Sequence, residues 1–154
     1  MSTNAPEVRR GVVPPTLLAF EADESTQPFW DHARQGTLAM PRCRACESFS
    51  FPPAPACARC RGADFEWEAL PGTGTLYAFT VVRHPLRPDL ADVVPYVSGV
   101  IELDGTQGAG ARMLGNVTDC DPDAVRTGER VSVWFDVVSD DLVVPRFRPV
   151  SAPG

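Results

Sequence analysis

The sequence predicts a mainly β protein: a short N-terminal helix, a metal-binding ribbon and a small five-stranded barrel, in that order. Three observations carry this. Four of the five cysteines fall between residues 40 and 62 as two C-x-x-C pairs. Five runs rich in aromatic and β-branched residues follow between 75 and 150, the composition of strands. Sixteen prolines and twelve glycines in 154 residues leave room for many turns and few long helices.

Taken in order, residues 1–36 read as an arm followed by a helix. Pro6, Pro14 and Pro15 discourage helix in the arm, while Val12, Val13, Leu17, Leu18 and Phe20 can lie extended against another surface. "STQPFWDHARQG" carries the helix signals: Ser25 or Thr26 as cap, Pro28 in the first turn, Gly36 as the stop. Phe29, Trp30 and Ala33 share its apolar face. Residues 37–70 form the cysteine module, opening on a strand at "TLAMPRC" and closing near "DFEWEAL". "PGTG" then marks a turn into the barrel, residues 71–150, with a frayed tail at 151–154. Its strands are "TLYAFTVVRH", "YVSGVIELD", "RMLGNVTD", "RVSVWFDVV" and "LVVPRFRPV". "DPDAVRTG" is a capped half-turn between the third and fourth, with Asp121 as cap, Pro122 inside it and Gly128 as the stop. Five strands in so short a span suit a small barrel.

Composition excludes several function classes. All fourteen basic residues are arginines, so neither a lysine Schiff base nor a P-loop lysine is available in this chain. A net charge of −6 opposes broad nucleic-acid binding. No stretch approaches the roughly 20 apolar residues that cross a bilayer. "VVPPTLLAF" is short, broken by prolines and followed by no A-x-A-like cleavage site, a poor signal peptide. A cytoplasmic location is therefore the expectation, and there thiols stay reduced and paired cysteines point to a metal rather than disulfides.

A C-x-x-C turn lets two thiolates converge on one ion, and two such turns complete a tetrahedral sulfur site. Cys43, Cys46, Cys57 and Cys60 meet that requirement without histidine. Zinc and iron both accept four thiolates. The knuckles lack the glycine that an electron-transfer iron site favours directly after each pair, so Zn2+ is expected and iron less so. Four thiolates leave no place for water, which makes the ion structural rather than catalytic.

Arg42, Arg44, Arg59 and Arg61 flank the cysteines. Residues 32–61 carry a net charge of +4, whereas residues 62–145 carry −9. These guanidinium groups either relieve a four-thiolate zinc centre, formally −2, or meet phosphates or an acidic partner. Phe29 and Trp30 are costly to leave in water; a partner surface or the chain's own ribbon would cover them. Of Trp134 and Phe135, adjacent on one strand, one must face away from the core. Cys120 reads as a small packed residue rather than a nucleophile, and nothing places it within reach of His32 or His84.

"FWDHARQGTLAMPRCRACESFSFPP", "CARCRGADFEWEALPGTGTLYAFTVVRHP", "PYVSGVIELD" and "FRPV", in that order from about Phe29 to Val150, resemble the DUF35 family of zinc-ribbon and OB-fold proteins. The resemblance implies a rubredoxin-like zinc ribbon followed by an OB-fold barrel. It implies a role as well: a non-catalytic accessory subunit of a thiolase-superfamily enzyme, whether thiolase, acyltransferase or a retro-aldolase such as those of steroid side-chain degradation. In that setting the chain has no activity alone, stabilises the complex, and helps form an acyl-CoA pocket shared with a thiolase-like subunit that supplies the catalytic groups. The loop from Arg83 to Pro95, too long for a tight hairpin and not ordered by its own packing, then offers Arg83, His84 and Arg87 to CoA phosphates or partner carboxylates. Two rival readings are a single-stranded nucleic-acid-binding module and a rubredoxin-like electron carrier.

Overall fold

The computed structural model describes residues 7–9, 21–106 and 110–150. The arm residues Pro6, Val12, Val13, Pro14, Pro15, Leu17, Leu18 and Phe20, the middle of the glycine-rich turn and the tail lie outside them. The described elements are β1 (Val8–Arg9), α1 (Gln27–Arg34), β2 (Ala39–Cys43), β3 (Phe65–Ala69), β4 (Thr73–Val82), β5 (Tyr96–Leu103), β6 (Arg112–Val117), β7 (Arg130–Val137) and β8 (Val143–Pro149).

Helix α1 begins and ends on the residues that its sequence nominates. Thr26 is the N-cap and Pro28 sits in the first turn, where a missing N–H leaves no bond unmade. The Thr26 hydroxyl turns outward to Asp23 (2.9 Å from Oδ1) rather than onto the helix amides. Gly36, at φ +70°, takes the left-handed turn that stops the helix.

Strands β2 and β3 form a two-stranded antiparallel ribbon, from Ala39 opposite Ala69 to Cys43 opposite Phe65. The remaining strands close a barrel in the order β4–β5–β6–β8–β7–β4. All contacts are antiparallel except β6 with β8, which run parallel at Val117 and Phe147. β1 lies parallel on β7, Val8 opposite Phe135, beyond the point where β4 leaves that edge. Alternation is visible in β5, where Val97, Gly99, Ile101 and Leu103 are buried, as a sheet with one face on a core requires. A bulge between Leu76 and Ala78 interrupts β4; Tyr77 is exposed there, beneath the Arg112 guanidinium at 3.6 Å.

A five-stranded barrel is narrow, and glycines make room inside it. A Cβ on Gly115 would lie 2.9 Å from the Phe147 ring, and one on Gly99 2.7 Å from Leu76. Gly74 brings β4 so close to β5 that a Cβ would sit 2.5 Å from the Glu102 carbonyl oxygen. The large residues Leu76, Ile101, Phe135 and Phe147, all fully buried, fill the space so created. The same apolar cluster includes Phe29 and Ala33 of α1 and Leu38 and Met40 of the ribbon. Helix, ribbon and barrel thus share one core, and disturbance of the ribbon reaches the barrel through side-chain packing.

The long β4–β5 loop is ordered locally. It holds a single 3-10 turn at Pro88–Leu90, and amides of Leu90, Ala91 and Val93 donate to carbonyls three residues back. Its prolines fix the backbone for a chain of local hydrogen bonds, which supply the order that side-chain packing does not.

Candidate metal centre

The two C-x-x-C segments fold into equivalent knuckles. In each, the first cysteine's carbonyl accepts from the amide four residues on: Glu47 N to Cys43 O and Arg61 N to Cys57 O, both 2.8 Å. Each first cysteine's amide in turn donates to the carbonyl five residues on, Cys43 to Ser48 (2.9 Å) and Cys57 to Gly62 (2.8 Å). Closing so tight a turn requires positive φ directly after the second cysteine, and Glu47 (60°) and Arg61 (65°) adopt it. The β2–β3 pairing brings the knuckles face to face.

All four Sγ atoms lie within 4.8 Å of one another. Across the knuckles, Cys43 and Cys60 are 3.5 Å apart and Cys46 and Cys57 3.6 Å. A tetrahedral ion with metal–sulfur bonds of about 2.3 Å would set its sulfurs about 3.8 Å apart, so the donor set fits such an ion. It does not fit disulfides, whose sulfurs stand about 2.0 Å apart. The protein groups around the sulfurs favour thiolate. Ser48, whose hydroxyl lies 3.4 Å from Cys57 Sγ, together with the amides of Cys60 and Arg59, pulls the Cys57 thiol down to about 6. Ser48 lowers Cys46 as well, from 3.0 Å. Cys60 receives the Gly62 amide at 3.4 Å, which favours its thiolate, yet the neighbouring sulfurs of Cys43 and Cys46 push it up to about 12. Four sulfurs held this close cannot all ionise without a cation among them. Ser48 was not among the residues singled out from sequence. Its signal is positional: it stands two residues after Cys46, as Gly62 stands after Cys60.

The arginines divide. Arg42 reaches Glu47 (3.0 Å), Glu66 (3.5 Å) and Glu68 (3.7 Å), and Arg44 reaches Asp64 and Glu66, both at 3.5 Å. Within the chain these two therefore pair with carboxylates of the first knuckle, of β3 and of its approach. Arg59 and Arg61 are exposed. Arg83 pairs with Asp123 and Arg87 with Asp89, while His84 is exposed at the start of the same loop. Phe29 is covered by the chain itself. At 4% exposure it belongs to the chain's own core, where it meets Trp30 edge-on and Phe51 at 5.8 Å. Trp30 is half-buried and lines a cleft of about 240 Å³ with Phe51, Pro52, Pro53, Leu114 and Pro145.

Phe135 points into the barrel and Trp134 away from it, but Trp134 is only 2% exposed and donates to Thr118 Oγ1 at 2.8 Å. No aromatic platform forms there. His32 lies against the Trp67 ring, 6.0 Å between centroids. Cys120 points its sulfur at the Val117 carbonyl (3.7 Å), and burial raises its thiol above the ordinary value. Among the described residues no histidine hydrogen-bonds to it, and no helix is long and apolar enough to cross a membrane.

A four-thiolate ribbon joined to a closed five-stranded barrel with parallel third and fifth strands defines the zinc-ribbon and OB-fold class. Residues 30–66 match the ChsH2 rubredoxin-like zinc ribbon domain and residues 67–136 the ChsH2 C-terminal OB-fold domain. The chain belongs to the DUF35 family. It is 34% identical over 114 residues to a DUF35 domain-containing scaffold protein of Methanocaldococcus jannaschii, covering 73% of this chain and 77% of that one. It is 32% identical over 137 residues to a Thermomonospora curvata protein described as "Probable enoyl-CoA hydratase alpha subunit", covering 88% of this chain but only 41% of that relative's length. Among solved structures it is similar to a chain of the "Ltp2-ChsH2(DUF35) aldolase", with a TM-score of 0.73 and 30% identity, over 84% of this chain and 98% of that one.

Proposed function

We propose that this protein is an accessory subunit of a larger enzyme, acting on acyl-CoA thioesters through a thiolase-like partner that supplies the nucleophile and base. The observation that carries the reading is the likeness to a DUF35 chain of an aldolase assembly along nearly all of that chain's length. The Thermomonospora curvata relative, named a probable enoyl-CoA hydratase alpha subunit, supports the link to CoA chemistry. The ion is zinc and its role is to hold the knuckles in shape, since four thiolates leave no open coordination position. The reaction makes or breaks a carbon–carbon bond in the acyl chain. This chain contributes stability to the complex and part of the wall of the CoA pocket, where Arg83, His84 and Arg87 on the β4–β5 loop and Trp30 beside its cleft are the residues proposed to meet ligand or partner.

Co-expression with thiolase-like proteins from the same genome tests the reading. The expected outcome is co-elution with one of them and carbon–carbon cleavage or formation on an acyl-CoA at an ordinary enzymatic rate, about 1–1,000 per second, with both chains present. Either chain alone should be at least about tenfold slower. Turnover at that rate by the isolated protein, or failure to associate with any of them, would sink it.

A further inference from the structure

The two knuckles share a backbone but not a charge state. In the first, Glu47 takes the strained left-handed position and gains an ion pair with Arg42 at 3.0 Å. In the second, Arg61 takes the same position, φ 65°. There a side chain bearing a Cβ is disfavoured relative to glycine. Among the described residues, neither Arg61 nor Arg59 has a carboxylate partner, whereas Arg42 and Arg44 between them engage four. Among the described residues no ion pair accounts for an arginine at this site, which leaves relief of thiolate charge or a contact outside the chain.

The surroundings suit an interface. Ala54, Pro55, Ala56 and Ala58 are all exposed and lead directly to Arg59, Cys60 and Arg61. Alanine and proline lose no side-chain rotamer freedom on burial, and the knuckle backbone is already fixed by its hydrogen bonds and its sulfur cluster. A surface that is rigid before contact loses less on association. Two free guanidinium groups at its edge select carboxylates, which they bind in bidentate fashion. The segment that follows has the opposite sign: residues 62–145 carry a net charge of −9.

We infer that residues 54–61 of the second knuckle form the edge by which this chain docks on its partner subunit, Arg59 and Arg61 meeting an acidic surface there. The inference rests on the accessory-subunit reading and specifies its contact. The competing role, relief of thiolate charge, predicts a different response.

The test uses the full, zinc-loaded chain, its Arg59→Ala/Arg61→Ala and Arg59→Glu/Arg61→Glu variants, and the thiolase-like protein with which the unaltered chain co-elutes. Zinc per chain and melting temperature report folding; the dissociation constant is measured at about 50 mM and about 300 mM salt, either side of the range where screening sets in. The alanine pair should weaken association about tenfold at the lower salt and flatten its salt dependence, and the glutamate pair should weaken it more, with zinc retained. Undiminished association of the glutamate pair overturns the inference. So does a loss of zinc affinity in chelator competition with unchanged association of the zinc-loaded forms, which would assign the arginines to the thiolates. Should the unaltered chain bind no thiolase-like protein, the accessory-subunit reading itself fails and the docking edge falls with it.

Discussion

Cys57→Ser is expected to abolish metal binding, from one ion per chain to below about 0.1, and to lower the melting temperature by about 10 °C or more. Structural four-ligand zinc sites in small modules are held with apparent free energies of about 10–16 kcal/mol, and that free energy is folding free energy. Here the ribbon has little else. β2 and β3 pair over five residues each, and a two-stranded unit of that size is marginal on its own. Cys57 is 2% exposed and lies 3.4 Å from the Ser48 hydroxyl, so serine in its place leaves a polar group facing three thiols. Damage should spread, because Leu38, Met40 and Phe29 pack in the same cluster as the barrel residues Ile101 and Phe147. A loss of a few kcal/mol in a chain of this size corresponds to the stated shift. Metal analysis and thermal melting are the readouts, with Cys120→Ser, whose sulfur lies outside the cluster, retaining one ion.

The second large effect lies on the outer side of the barrel wall. Arg146 of β8 is 6% exposed and Asp136 of β7 is 1% exposed; they form an ion pair, and Arg146 Nη1 donates to Asn116 Oδ1 on β6 at 2.6 Å. One guanidinium thus joins three strands where β6 and β8 run parallel and share a short ladder. Arg146→Ala removes one member of this buried pair together with the donor to Asn116 Oδ1, an expected loss of up to about 3–5 kcal/mol. Urea denaturation should show that loss with little change in slope. The double replacement Asp136→Leu/Arg146→Met removes both members of the pair and should recover part of the stability. Equal destabilisation by the single and the double replacement would show that shape, rather than charge pairing, holds this wall.

The sequence disclosed the metal centre and the barrel strands for different reasons. Thiolate spacing is a local constraint: two atoms three residues apart must meet one ion, whatever surrounds them, so the four cysteines could be read directly. The strands were legible because runs such as Val97–Leu103 alternate in step with the pleat. What stayed hidden depends on register. Arg42 and Arg44 look like free cations until β2 is laid against β3, which sets Arg42 opposite Glu66. Nothing in "VVPRFRPV" marks Arg146 as buried; that follows from Asp136 lying across the β7–β8 hairpin. Alternation correctly sends Trp134 and Phe135 to opposite sides, but it cannot reveal that the outer side is covered as well. A helix wheel puts Phe29 on the apolar face but does not reveal whether a partner or the chain's own core lies opposite it. The bulge at Tyr77 has no sequence signature, since it arises from the fit between strands.

The central claim is that a sulfur-bound ion shapes this chain for assembly with a second polypeptide. Native mass spectrometry of the co-expressed pair, before and after treatment with a zinc chelator, tests it most directly. The account predicts one zinc for each copy of this chain in the assembled species, and separated subunits once the metal is removed. A complex that persists at full occupancy without metal would contradict it.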